Sequence, residues 1–194
     1  MTALKIHLGA DVLAARRMLR QVGADMAPSK LLAIVGSRHL RWVNENFRAE
    51  GLEHSWERLA MSTIESRRKG RGRGSARILR NTGRLAQSFT MQVRATSVEV
   101  GTNIVYAKWH EKGTDPYTIR PKDPSGVLAW GGNPPTRFAK FVNHPGLPAR
   151  PMLPSKRLAE QLATEALRNY AQAVVAQTTG QGPSRALLNL LRGV

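Results

Sequence analysis

The chain has 194 residues, which fits one domain, or one domain with an extended arm. Hydrophobic residues make up 41% and aromatics 6%, so a core is available and it is mostly aliphatic. The absence of cysteine excludes disulfides, thiolate metal sites and thiol nucleophiles, and a net charge of +17 points to a polyanionic partner: nucleic acid, an acidic protein ring or a membrane surface.

Residues 1–8 contain Lys5 and His7, and their apolar run is too short for a secretory signal. No apolar segment approaches the roughly 20 residues of a membrane helix. A soluble protein, made and used in a cytoplasm without a membrane partner, is expected.

Residues 2–8 predict a short strand with Leu4, Ile6 and Leu8 on one face. Asp11 is placed to cap a helix from Val12 to about Ala24. Its apolar stripe is Val12, Ala15, Leu19 and Val22, with Arg16, Arg17 and Arg20 toward the other side. Pro28 suits the first turn of a second helix, running to about Ala49. Leu31, Leu32, Val35, His39, Trp42, Val43 and Phe47 recur along it at three- and four-residue steps. His39, the odd member, reads as a partly buried, hydrogen-bonded histidine. Gly51 stops the helix, and Trp56 and Leu59 plug against it.

The window 62–80 is the most basic, with no acid after Glu65. Gly70, Gly72 and Gly74 make it poor in packing groups, and it reads as a mobile loop. Arg67, Arg68, Lys69, Arg71, Arg73 and Arg77 are the candidates for contact with DNA or an acidic partner. Such a contact would be to phosphates, without sequence readout. The run Arg71-Gly-Arg-Gly74 resembles an arginine–glycine nucleic-acid segment as much as a solvated loop. It lacks the Gly-Lys-Ser/Thr of a phosphate-binding P-loop.

Asn81-Thr-Gly83 signals a turn, and 84–88 a helical turn. Residues 88–95 and 97–102 alternate and predict a tight antiparallel hairpin. Tyr106, Ala107 and Trp109 put apolar bulk on a short turn or helix, which Gly113 ends. Trp109 and Trp130 could stack on bases, but read better as core or interface anchors. Three further short strands are expected at 117–120, 126–130 and 138–142, separated by glycine and proline. The proline-rich run 144–154 predicts an extended connector. Within it Arg150, between Ala149 and Pro151, is held in one direction, as a salt-bridge or interface group needs. A helix from about 154 to 177 follows, with Leu158, Leu162, Ala166 and Tyr170 in one row. Its length of roughly 35 Å would cross a sheet. Beyond it, Leu187, Leu188, Leu190 and Leu191 form an apolar patch that cannot fold alone. It docks back on its own domain or grips a neighbouring subunit.

The fold class expected is α+β: an antiparallel sheet of about four to five strands, flanked by amino- and carboxy-terminal helices. The chain divides into a helical region 1–65, a flexible basic loop 66–77, a sheet plus long helix 78–177 in the same domain as 1–65, and a tethered tail 178–194. Chemistry is not indicated. His7, His39, His54, His110 and His144 are scattered without metal-ligand spacing, and the adjacent His110 and Glu111 make a poor dyad. No cofactor, metal or catalytic residue is expected.

Four segments stand in a familiar order: Leu79-Arg-Asn-Thr-Gly-Arg-Leu-Ala-Gln-Ser-Phe89, Val100-Gly-Thr-Asn103, Tyr106-Ala-Lys-Trp-His-Glu-Lys-Gly113 and Pro148-Ala-Arg-Pro-Met-Leu-Pro-Ser155. With Trp56-Glu-Arg-Leu59 and Thr63 upstream, they resemble the virion morphogenesis family of tailed phages, the Mu-like tail-completion or neck proteins. The resemblance spans 56–158, and Met152 stands where that family usually has phenylalanine. The insertion 117–144 resembles a β-rich extension of related head–tail proteins. The resemblance implies a structural protein of the head–tail junction, assembled in a bacterial host. It would form a ring, sixfold rather than twelvefold, around a DNA channel. Its partners would be copies of itself, neighbouring head–tail connector and tail terminator or tube proteins, and packaged DNA. Tyr106, Trp109, His110, Arg150 and Met152 would hold the fold or the subunit interface, with Leu187, Leu188 and Leu191 in the tail. The alternative is a non-sequence-specific nucleic-acid-binding protein acting as a monomer or dimer.

Overall fold

The structure, a computed structural model, describes residues 4–8, 20, 27–69, 75–130 and 135–178. The helix expected over 12–24 lies outside the described residues apart from Arg20, and so do Arg71, Arg73, Leu187, Leu188 and Leu191.

Helix α1 spans Pro28–Ala49 and buries the row expected of it, joined by Gly36 and Asn46. Glu50 turns left-handed at φ 58°, and the Gly51 N–H donates to the Asn46 carbonyl over 3.1 Å. This is a Schellman-type closure of the last turn. Gly51 sits at φ 113°, and a Cβ there would lie 2.1 Å from the His54 carbonyl oxygen. The chain turns back under the helix end, where Trp56 meets Phe47 edge-on at 5.4 Å and Phe47 meets Phe89 at 5.7 Å.

Strand β3 (Val98–Thr102) lies between β1 (Leu4–Leu8) and β2 (Thr90–Val93), antiparallel to both. The helical turn expected over 84–88 is α3 (Arg84–Gln87), and the β2–β3 hairpin is the one expected, closed by the Arg94 N–H donating to Ser97 O over 2.7 Å. Along β3, Val98, Val100 and Thr102 are buried, while Glu99 and Gly101 are half-exposed. Period-two alternation thus sets which sheet face meets the helices. Helix α1 lies across β2 and β3. Gly36 permits its approach: a Cβ there would come within 2.7 Å of Val98 Cγ2 and 2.9 Å of Met91 Sδ.

Helix α5 spans Lys156–Thr178 and packs beside α1. Asn46 meets Met152 just before α5, and His39 meets Ala159 in its first turn, so the two helices run antiparallel. His39 is fully buried between them. Its Nε2 lies 2.9 Å from Ala159 O and its Nδ1 2.8 Å from Val35 O. Neutral imidazole has one N–H for those two carbonyls. The carbonyls favour the doubly protonated ring, but burial is the larger influence and holds its pKa below the ordinary 6.5.

The α+β class stands, but among the described residues the expected sheet of four or five strands has three. Short strands β4 (Tyr117–Ile119) and β7 (Val142–His144) form one two-stranded ribbon, and β5 (Leu128–Trp130) and β6 (Arg137–Ala139) another. The strand expected over 138–142 is interrupted at Lys140 and Phe141, and its halves pair with different partners. Prolines at 116, 121, 124, 135, 145 and 148 lack the N–H that a longer ladder needs. A second difference lies in the basic window, where α2 spans Met61–Lys69 and so runs into the stretch 66–77 expected as loop.

The Gly36 contact is testable. Gly36→Leu forces a side chain into the packed helix–sheet seam and is expected to cost about 1–3 kcal/mol. Urea denaturation checks this, and an unchanged midpoint would contradict the seam.

Candidate assembly site

The residues of interest surround the segment 150–155, and proline dictates how it is held. Pro151 and Pro154 have no N–H, so this stretch cannot join a sheet as an interior strand. Its side chains are nevertheless internal: Arg150, Met152, Leu153 and Pro154 are buried. Buried backbone groups need partners, and here side chains from three elements provide them.

The first element is α1. Asn46 Nδ2 donates to Pro151 O at 3.0 Å and Met152 O at 3.3 Å, while its Oδ1 accepts the Leu52 N–H at 2.7 Å. The second is the loop after α1. Trp56 Nε1 donates to Pro151 O at 3.1 Å, and Arg150 donates through Nε and Nη2 to Glu57 O at 3.2 and 2.9 Å. Glu53 accepts the Ser155 N–H at 2.8 Å and its hydroxyl at 2.6 Å. Ser155 Oγ in turn accepts the Leu158 N–H at 3.3 Å, capping the start of α5.

The third is α4 (Ala107–Lys112). Its His110 carbonyl accepts the Arg150 N–H at 2.7 Å, and Glu111 Oε2 accepts the Met152 N–H at 2.6 Å. Gly113, at φ 74°, ends α4 and lets the chain at 147–149 pass close; a Cβ would lie 2.6 Å from Leu147 O. Ala107, His110 and Glu111 follow the i, i+3, i+4 spacing of one helix face, turned toward the segment. Tyr106 and Trp109 point outward and are 41% and 43% exposed, with Lys108 Nζ 4.6 Å above the Trp109 ring.

The electrostatics follow from burial. Desolvation is the largest influence on Glu111 and raises its pKa, opposed by the Met152 and Leu153 N–H groups and by Lys112. Desolvation lowers the His110 pKa, and the nearby Arg150 and Arg67 charges lower it further. Its Nδ1 is buried without a hydrogen-bond partner. Arg150 is lowered by burial and by Arg67, and Glu57 offsets part of this.

The structure therefore brings Arg67, His110 and Arg150 together and sets Met152 in the core beside them. Arg67 has a further role: its Nη1 donates to Ser75 O at 3.0 Å and Arg77 O at 2.9 Å. It ties these two residues to α2. Arg68 and Arg77 are exposed, and Lys69 is the last residue of α2. Tyr106 and Trp109 lie on the surface beside the clamped segment, and Trp130 is likewise exposed. Arg150, read as a salt-bridge or interface group, donates to the Glu57 main-chain carbonyl.

Asn46, Glu53 and Glu111 escaped the sequence reading. Asn46 left a trace, because it falls at helical spacing on the apolar face of α1. Glu53 and Glu111 left none, since their partners are main-chain N–H groups distant in sequence.

Of the other histidines, His54 is exposed and His144 stacks on Tyr117 at 4.8 Å. Among the described residues no His, Asp and Glu side chains form a group suited to a metal ion, and no helix is long and apolar enough to cross a membrane. Residues 7–172 match the phage virion morphogenesis family. No curated protein and no solved structure gives a significant match.

The pH dependence has a definite sign. His110 and His39 have folded pKa values below their unfolded 6.5. Their contribution to stability is present above 6.5 and is lost as pH falls through the folded values. Glu111, whose folded pKa is raised, acts in the opposite sense as pH falls, so the readout is a difference: between about pH 7.5 and about pH 5 the unfolding free energy is expected to fall less steeply in His110→Phe than in the parent. Urea titrations across that range check it, and identical slopes would contradict it.

Proposed function

This chain belongs to the phage virion morphogenesis family, and from that membership we propose that it completes the tail by forming a ring at the head–tail junction. The family is structural and morphogenetic, so the chain's work is in building a virion rather than turning over a substrate. The finer reading is a ring of six copies around the DNA channel, between a head–tail connector and the tail terminator or tube proteins.

One observation supports the DNA-facing part of this reading. The hydrogen bonds of Arg67 hold Ser75 and Arg77 against α2. The sequence 70–74, between α2 and Ser75, is Gly-Arg-Gly-Arg-Gly, preceded by Arg68 and Lys69. Such a sequence carries Arg71 and Arg73 with little else to pack. That suits contact with a regular array of phosphates. Arg67 then serves as a brace, and Arg68, Lys69, Arg71, Arg73 and Arg77 as the contacting cations. Tyr106 and Trp109 suit the subunit interface: they are large, exposed and carried on a helix anchored by Glu111 and the His110 carbonyl. Arg150 and Met152 suit the fold.

A basic nucleic-acid-binding protein acting alone or as a dimer would share the charge of +17. Genetic complementation separates the two. Phage lacking the protein is expected to yield filled heads and finished tails that do not join. A copy with Arg68, Lys69, Arg71 and Arg73 all changed to Ser should bind DNA with a salt slope shallower by about 0.9 for each phosphate that it no longer neutralises. It should also restore joining poorly. Normal joining and infection without the protein would contradict the proposal.

A further inference from the structure

The residues between Gly113 and Ala149 form an arm. Thr114 and Leu147 bridge at its root, each N–H donating to the other's carbonyl, at 2.9 and 3.1 Å. No described residue from 113 to 149 is buried. Its described strands form two separate two-stranded ribbons, a form that is marginally stable by itself in water.

Its side chains are unusual for a solvent-facing arm. Phe138 is 63% exposed, Val127 54%, Phe141 51% and Tyr117 49%. In the β5–β6 ribbon Trp130 pairs with Arg137 and Phe138 with Ala129. Paired residues share a face and neighbours alternate, so Trp130 and Phe138 lie on opposite faces, and each face displays an aromatic ring. A concentration of large apolar groups on a projecting element marks a surface that another chain covers.

Chain length indicates what covers it. The arm's root lies next to the segment 150–155, at the amino-terminal end of α5. The tail departs from the other end, after Thr178. The 23 residues of α5 separate these points by roughly 34 Å. The nine residue steps from Thr178 to Leu187 reach about 32 Å at most, fully extended. A tail docking beside the root of its own arm would have to be stretched taut along the whole helix. A tail docking on the arm of an adjacent copy needs no such extension. The segment 185–194 contains four leucines and, as charges, only Arg185 and Arg192, which suits an aromatic rather than an ionic acceptor.

We propose that residues 185–194 of one copy dock on the exposed aromatic side chains of the arm of the next copy. The contact is head-to-tail, with different surfaces on the two partners, as a closed ring requires. The inference rests on the ring reading for its closure, but the arm–tail contact has its own test.

The chain contains no cysteine, so single reporters can be added to the full-length protein. Phe138→Cys and Leu188→Cys proteins, each with a distinguishable tag, are mixed and mildly oxidised. The expected result is a mixed disulfide dimer, at about tenfold or more the yield of a control pairing Leu188→Cys with the α5 surface variant Thr164→Cys. Adding Trp130→Ser and Phe141→Ser to the Phe138→Cys chain should remove that excess while its circular dichroism stays unchanged. Yield equal to the control overturns the proposal. So does crosslinking that occurs only when both cysteines are in one chain. So does an excess that survives the aromatic substitutions, or one that duplex DNA displaces by occupying the arm. Electron microscopy separates the two readings: rings without the crosslink refute the docking alone, and crosslinked open chains refute the ring alone.

Discussion

The structure depends on how a proline-broken segment is held inside the protein. Residues 150–155 can make neither helix nor interior strand, yet Met152 and Leu153 belong to the core. Each unmet buried polar group would cost about 1–3 kcal/mol. Asn46, Trp56, Glu53, Glu111 and the His110 and Glu57 carbonyls meet those of this segment. The same contacts join the end of α1, the loop after it, α4 and the start of α5. The arm roots on one side of this junction, and Arg67 of α2 holds Ser75 and Arg77 nearby.

Much of the scaffold was legible because it obeys simple periods. The 3.6-residue row of α1, the alternation through β2 and β3, and the leucine–alanine row of α5 are read from spacing alone. The Gly113 stop and the Trp56 plug were equally plain. The sheet size was not, because a strand's partner is a property of the fold. The stretches at 117, 128, 137 and 142 look alike locally, and only the closure at Thr114 and Leu147 separates them from the main sheet. The helix at Met61–Lys69 was hidden by its charge, since an apolar stripe is the signal used to find helices.

The site was legible to a different degree. The run around Arg150 and Met152 was conspicuous for its proline, and so was the pair Tyr106 and Trp109. The chemistry that binds them was not. A carboxylate such as Glu111 that meets a main-chain N–H some forty residues away has no sequence signature. Arg67 was indistinguishable from its basic neighbours, although among the described residues it is the one that braces Ser75 and Arg77. A charge run thus mixes structural and contacting cations, and geometry is needed to sort them.

The most direct measurement of the clamp is native-state amide hydrogen exchange at Arg150 and Met152, whose N–H groups donate to His110 O and Glu111 Oε2. If the junction unites the fold, both amides exchange only through global unfolding, and their opening free energy falls with denaturant as steeply as the whole protein's. Rapid exchange that is insensitive to denaturant, with α1 still protected, would show that the segment opens by itself and would contradict the account.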